Sequence, residues 1–551
     1  MAQNISYFKQ KGDSYVIASS VGLVFSLGMV FFIVIIILAK GLGFFWPRTL
    51  EYLKLEQGKA YLGELWAKET KIMSTADGEK VRMKEIQLKI GNRDIYGLDF
   101  TWLQENEILE RDQPEKAVTF ERWEYGNFYG FIRSLQFAGE KINDTDKNLL
   151  HRVDEAHQKA MNNKERINEL EGDINKLTKP LTKVQREISV LEISPEINTD
   201  QGQQKLLELQ NKASNIEIEI AEEYQVLTNK IEKLYFENYS IYVNVETADS
   251  QNKDLHLSNV VRFYAPNQMN IFEKSWIYAK KLAEFIFAEP RESNTEGGVF
   301  PAIFGTVMMV LLMSIAVVPL GVLAAIYLNE YAKQGTIIRL IRLSVNNLAG
   351  VPSIVFGVFG LGFFIYTIGG TIDQLLFSNK LPEPTFGTGG IFWASLTLAL
   401  LTLPVVVVAT EEGILAVPKS NKEGALALGS TRWQMIRKIV LPNAMPGILT
   451  GVILAISRGA GEVAPLMITG VVKLAPALPL DVTFPFLHLD RKFMHLGFHI
   501  YDVGFQSPNV EAAKPMVYTT ALLLILIVVI LNLLAIYMRN RLRKKYKGAT
   551  F

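Results

Sequence analysis

A chain of 551 residues is too long for one ordinary domain, and 49% apolar residues beside 21% charged ones imply a division into an oily and a watery part. The net charge of +1 gives no basis for a nucleic-acid partner, and the absence of cysteine excludes disulfides, thiolate metal sites and cysteine nucleophiles. The first element is a charge-free apolar run over 15–39, long enough to cross the roughly 30 Å hydrocarbon core as a helix. It exceeds the h-region of a signal peptide, and no small-residue cleavage site follows before Lys40. Phe44, Phe45 and Trp46 then supply the aromatic belt of a water interface, so 1–46 reads as a retained membrane anchor.

Residues 47–298 form a polar insert. Ile86, Leu88 and Ile90 alternate with polar residues, Gly91-Asn92 turns the chain, and 95–100 resumes as a strand; Ile241, Val243 and Val245 alternate likewise. Between these flanks, Ile167, Leu170, Ile174, Leu177, Leu181, Val184, Ile188 and Leu191 recur in steps of three and four, a heptad seam. A second seam runs through Leu206, Leu209, Ala213, Ile216, Ile220, Tyr224, Leu227, Ile231 and Leu234, with one extra four-residue step that unwinds a supercoil locally. With Pro195 and Gly202 between them, the two sets predict an antiparallel coiled-coil hairpin at about 150–238 on a strand-rich base, and Pro180 predicts a kink in its first helix. Such a hairpin either packs only on itself or is an arm for a partner; the sequence leaves both open.

Five more apolar runs follow in 299–551, at 301–328, 348–368, 391–410, 448–470 and 516–538. Six spans place four basic segments on one side: Lys9 and Lys11; Lys333, Arg339 and Arg342; Lys419, Lys422, Arg432, Arg437 and Lys438; and the tail Arg539, Arg541, Arg543, Lys544, Lys545 and Lys547. The positive-inside rule makes that side cytoplasmic, with both termini, and leaves the insert outside.

The cytoplasmic loop 420–442 carries chemistry of shape. Ser420 and Glu423 have the spacing of a capping box, Gly429 suits a left-handed stop, Ser430 can cap a second helix and Pro442 can end it. Two short helices at about a right angle follow. The loop resembles the E-A-A-x3-G-x9-I-x-L-P loop of bacterial ABC importer permeases, with Glu423, Ala425, Gly429, Ile439, Leu441 and Pro442 at its positions. Gly424 stands where the family has its first alanine, a change worth about 1 kcal/mol of helix propensity. The resemblance implies that this loop docks on a separate ATP-binding subunit. No G-x4-G-K-[ST] phosphate loop occurs in the chain itself.

Further stretches resemble the A-type permease family of phosphate-specific import systems: Gly305-Thr306, Pro319-Leu320-Gly321, 348–357 with Ser353, and 456–466 with its R-x-x-G-E-x-A-P-L pattern. Arg458 and Glu462, four residues apart and well inside the fifth span, share one helix face, about 6 Å apart along the axis. An arginine inside a span costs about 2.5–3.5 kcal/mol on insertion scales and so belongs on the bundle interior or a watery path. Its planar fork suits phosphate oxygens. The alternative, compatible with a place on the path, is a structural ion pair between Arg458 and Glu462; Gly459, Gly461 and Pro465 allow close helix approach or a local unwinding.

The resemblance implies an all-α polytopic membrane protein with six transmembrane helices of the type I importer permease fold, carrying an extracytoplasmic α+β insert with the coiled-coil hairpin. It implies a transporter subunit, not an enzyme, in the bacterial inner membrane, whose substrate path includes Arg458, Glu462 and Ser353. Its expected partners are an ATPase, a sister permease, a periplasmic phosphate-binding protein and the bilayer, with no cofactor and no metal. Permeases for another oxyanion or a phosphonate, and a membrane sensor or scaffold using the hairpin, are the alternatives. His151, His157, His256, His488, His495 and His499 are scattered and read as ordinary loop residues.

Overall fold

A computed structural model describes residues 13–547 except 57, 75–79, 147, 382, 483, 508 and 509. Lys9 and Lys11 lie outside the described residues, as do the side chains of Arg543, Lys545 and Lys547. The chain divides into two compact units. One takes the described residues up to Phe45, then Ala283–Phe377 and the chain from Glu383 onward; the other takes Trp46–Leu282 with 378–381.

Among the described residues the first unit contains six helices long and apolar enough to cross a membrane: Tyr15–Phe45, Phe300–Tyr331, Ser353–Leu376, Ile391–Leu415, Arg432–Gly461 and Val510–Arg541. They are called spans 1 to 6. Span 4 is the centre, with Trp393, Ala394, Leu398 and Leu401 buried. It meets spans 2 and 5 through small residues. A Cβ on Gly321 would sit 2.7 Å from a Val406 methyl, and one on Gly447 would sit 2.7 Å from the Cα of Gly413. Lipid tails are as apolar as side chains, so such close backbone approach supplies the dispersion that holds spans together. Span 1 is exposed along most of its length and meets span 6 near its end, where the Thr519 hydroxyl donates to the Gly41 carbonyl at 3.0 Å.

Two span boundaries differ from the sequence expectation. Span 3 begins at Ser353 rather than 348, because Pro352 biases Val351 away from helix; 336–348 instead forms its own amphipathic helix, Thr336–Leu348. Span 5 begins at Arg432, sixteen residues before the expected 448, and its helix ends at Gly461. Pro442 does not terminate it. The turn before it widens to a π-helix over Ile436–Val440, with the Leu441 N–H reaching back to the Ile436 carbonyl. This absorbs a residue that has no N–H to contribute.

The second unit is built on two antiparallel sheets. The strands are β1 Leu50–Leu55, β2 Ala60–Ser74, β3 Lys80–Lys89, β4 Phe100–Gln104, β5 Ile108–Asp112, β6 Ala117–Arg122, β7 Asn127–Phe137, β8 Glu140–Asn143, β9 Tyr242–Glu246, β10 Asn252–His256 and β11 Val260–Tyr264. They are ordered β4-β3-β2-β1-β5 and β10-β9-β7-β6-β11, with β8 on β7. The all-α description therefore fits the spans and not the whole chain. The alternation Ile86, Leu88, Ile90 does face a core, closed by Leu53, Leu55 and Leu103. Residues 95–100 do not resume as a strand: Gly91 and Asn92 both adopt left-handed φ (56° and 51°), and a helical turn Arg93–Tyr96 precedes β4.

Two helices, Leu149–Ile193 and Asp200–Tyr239, form an antiparallel hairpin about 65 Å long at 1.5 Å per residue. The Thr199 hydroxyl caps the second by accepting from the Gly202 amide at 3.0 Å. The first helix is continuous through Pro180. Every seam residue is buried or half-buried except Tyr224, 43% exposed, which sits at the extra four-residue step, where the seam rotates outward.

Candidate functional site

The loop 420–442 is built from apolar anchors upward. Ala425, Met435, Ile436 and Val440 are buried in one cluster with Ala325, Leu328, Val407, Ile414 and Ala444 of spans 2, 4 and 5. Ile439, Leu441 and Pro442 are half-buried at its edge. The first short helix is Lys419–Ala427, following Pro418, and no side chain caps it, so the expected Ser420–Glu423 box is absent. Gly429 stops it in the left-handed region at φ 83°. The second helix is capped one residue later than expected. The Thr431 hydroxyl accepts from the Gln434 amide at 3.2 Å and the Gln434 side chain accepts from the Thr431 amide at 2.9 Å. Ser430 faces back, its hydroxyl donating to the Ala425 carbonyl at 2.7 Å.

What this leaves outside is a continuous surface. Glu423, Gly424, Ala427, Gly429, Arg432 and Gln434 are exposed, and Leu428 is 91% and Trp433 53% exposed. Nothing lies within 4 Å of a Cβ built on Gly424, so the departure from alanine removes no contact.

One ion pair ties the loop to span 2, and another ties the helix Thr336–Leu348 to span 4. Lys422 reaches Glu330 at the end of span 2 at 2.7 Å. Arg342 pairs with Glu411 of span 4 at 3.3 Å and donates to Asn329, whose amide donates to Glu411 at 3.1 Å. Sequence reading passed over Glu330, Asn329 and Glu411. Their signal was present: carboxylates closing two apolar runs, opposite lysines and arginines already counted for topology.

At the other end of span 5, Arg458 lies in the last helical turn and Glu462 just beyond it, in extended backbone (φ −77°, ψ 138°). The two are therefore at a helix terminus rather than well inside the span. The Arg458 Nε and Glu462 Oε1 stand 3.7 Å apart, with both side chains partly exposed. After the break, a short helix Ala464–Thr469 packs on the start of span 3, where a Cβ on Gly357 would be 2.7 Å from Pro465. Gly459 permits close approach, since a Cβ there would meet the Met313 sulfur at 2.5 Å; Gly461 has open space around it. Ser353 is half-buried at the first turn of span 3 and makes no hydrogen bond to Arg458 or Glu462 among the described residues. The structure thus joins two of the three expected path residues.

Sequence reading also missed two buried histidines beside this break. His495 and His499 are 0% and 2% exposed, not loop surface. The His495 Nδ1 accepts from the Gly497 amide at 3.1 Å, and Gly497 packs on Val463. Burial pushes the His495 imidazole down to about 3; burial and the nearby Lys473 ammonium push His499 down to about 4. Both Nε2 atoms lack a partner among the described residues. Asp502, 1% exposed, pairs with Lys473 at 3.4 Å and accepts from Asn294 at 3.2 Å.

Comparison with known proteins covers this region. Residues 317–548 match the family described as binding-protein-dependent transport system inner membrane component. Phosphate transport system permease protein PstA 1 of Mycobacterium tuberculosis is 36% identical over 243 residues, 44% of this chain and 71% of that protein. Probable ABC transporter permease protein YqgI of Bacillus subtilis is 30% identical, over 48% of this chain and 84% of its own length. Phosphate transport system permease protein PstA of Yersinia pestis is 34% identical, over 46% of this chain and 76% of its own length. The sheets and the hairpin lie outside the matched 317–548. The chain belongs to the binding-protein-dependent transport system inner membrane component family, as a permease of the PstA type carrying a large additional unit.

Proposed function

We propose that this chain is the permease subunit of an ATP-driven importer of inorganic phosphate. One observation carries the substrate: the relatives whose names state one, in Mycobacterium tuberculosis and Yersinia pestis, state phosphate. The geometry supports the division of labour. The exposed surface around Glu423, Gly424, Gly429, Leu428 and Trp433 suits docking on a separate ATPase, and its anchoring through Ala425, Ile436 and Val440 transmits a push directly to spans 2, 4 and 5. Arg458 is a fixed cation at the broken end of span 5, with a fork that matches two phosphate oxygens. Glu462, 3.7 Å away, balances that charge while no anion is present. Ser353 adds a hydroxyl donor at the start of span 3.

In this reading six helices of the type I importer fold sit in the bacterial inner membrane with both termini cytoplasmic and the sheet-and-hairpin unit outside. A sister permease completes the path and a periplasmic binding protein delivers the anion. ATP binding draws the ATPases together, moves the docked loop and turns the path outward; hydrolysis resets it. The test is ATP-dependent uptake of radiolabelled phosphate into vesicles holding the assembled complex, with excess arsenate, sulfate or a phosphonate as competitor. Uptake that a phosphonate or sulfate in excess leaves unchanged supports the assignment; uptake that a phosphonate suppresses at lower concentration than unlabelled phosphate does replaces it with an organophosphorus permease.

A further inference from the structure

The helix Ile271–Phe287 leads toward span 2 and has two unlike faces. Its inner face is pinned: Phe285 is buried against the Phe45 ring at 5.3 Å, and Lys281 pairs with Glu121 and donates to the Tyr264 hydroxyl at 2.9 Å. Its start is capped by Asn270, whose side chain accepts from the Phe272 and Glu273 amides, both at 2.9 Å, while Glu273 accepts from the Asn270 amide. The outer face is apolar and covered by nothing among the described residues. Phe272 is 82%, Trp276 64% and Phe287 73% exposed, and Ala279 and Ala283 are exposed between them. These positions follow one another at three and four residues, a single stripe along the whole helix.

We infer that this helix lies in the membrane–water interface, its Phe272–Trp276–Phe287 stripe sunk among the phospholipid headgroups and upper acyl chains on the insert's side. Three observations point to lipid rather than to protein. First, the helix is tied to the ends of two spans: the Val299 amide donates to the Phe285 carbonyl at 2.8 Å one residue before span 2, and Phe45 is the last residue of span 1. That end of the stripe is therefore at bilayer depth. Second, Ile271–Phe287 is one helix with no proline inside it, so the rings follow a single face onward from that end. Third, the residue types are those of an interfacial segment: aromatic rings on one side, with Lys280 exposed and its ammonium 5.4 Å from the Trp276 ring, placed to meet lipid phosphates.

The cysteine-free chain makes the test clean. Single cysteines at Trp276, Ala279 and Ala283, and at Glu273 as the solvent control, are spin-labelled in the full chain, in nanodiscs containing anionic phospholipid with any subunits that copurify. Accessibility is read to oxygen, which partitions into lipid, and to a water-soluble nickel complex. The inference expects the three stripe labels to be several-fold more oxygen-accessible, relative to nickel, than the Glu273 label. Stripe labels as nickel-accessible as Glu273 overturn it, since the face is then in water. Stripe labels shielded from both reagents also overturn it, since the face is then covered by protein.

Discussion

The two ends of span 5 are both broken helices, and they are broken by opposite means. At the Arg432 end a π-turn carries the helix past Pro442, the half-buried charges Lys422 and Arg342 are paired with Glu330 and Glu411, and the outward surface is polar with two apolar knobs. At the Glu462 end the helix stops outright, one ion pair stands open at 3.7 Å, and two buried imidazoles have nitrogens without partners among the described residues. A paired, capped bend holds its shape under load. An open, under-satisfied break keeps polar groups available for something else. The first is suited to transmitting force and the second to handling an anion.

The most direct way to break the contrast is at Arg458. A hydrogen bond to a charged group is worth about 1.5–3 kcal/mol, so Arg458→Ala is expected to lower phosphate uptake roughly 100-fold, and Arg458→Lys, which keeps the charge and loses the fork, about tenfold. Both variants should still copurify with the ATPase. Wild-type uptake by Arg458→Ala would remove the Glu462 end from the path.

Acid separates the ends next. Folded values of about 3 and 4 for His495 and His499 lie below the ordinary 6.5. Below pH 6.5 the unfolded chain therefore takes up protons that the folded chain refuses, and stability falls as the pH drops through that point. From pH 7.5 to pH 5 the loss is about 2 kcal/mol per histidine. In thermal unfolding, His499→Gln should lose less on acidification than the wild type; equal losses would show that His499 is not the group refusing the proton. No histidine lies anywhere in 300–480, so the Arg432 end serves as the internal control.

The two glycines of the loop should then behave oppositely. Gly429→Val forces a branched side chain into left-handed backbone at a cost of about 1–2 kcal/mol and should weaken ATPase copurification by up to about tenfold. Gly424→Ala enters open space and gains about 1 kcal/mol of helix propensity, so it should dock at least as well as the wild type. Equal loss in both would mean that the loop responds to bulk and not to backbone conformation.

Most of the span architecture was legible because apolar runs of membrane length have few other uses, and the loop because its spacing is specific. The misses have physical causes. The apolar run alone points to 448 as the start of span 5, and Pro442 to the end of a separate helix; a wider turn that tolerates proline leaves no mark in composition. The strand expected at 95–100 failed because Gly91 and Asn92, both left-handed, turn the chain into a helical turn. His495 and His499 read as surface because a lone histidine is polar on any scale; their burial comes from Thr306, Val463 and Thr520, far away in sequence. The pairing of Lys422 with Glu330, ninety-two residues apart, is of the same kind: each charge is legible and the contact is not.

The finest distinction concerns two adjacent hydroxyls. Either Ser430 or Thr431 could cap the second loop helix on sequence grounds, and the structure gives the role to Thr431, with Gln434 returning the bond. Removing a cap costs about 1 kcal/mol, a factor of about five. Thr431→Ala should thus loosen the helix start and weaken ATPase copurification about fivefold, and Thr431→Asp, which caps as well, should restore it. Ser430→Ala removes one hydroxyl bond to the Ala425 carbonyl, but the Ser430 amide also donates to that carbonyl at 3.2 Å, so its effect should be smaller. Phosphate affinity should be the same in all three, because the cap shapes only the Arg432 end. If Ser430→Ala proves the more damaging, the second helix starts where the sequence alone would have placed it, and the bend at Gly429 is one residue tighter than described.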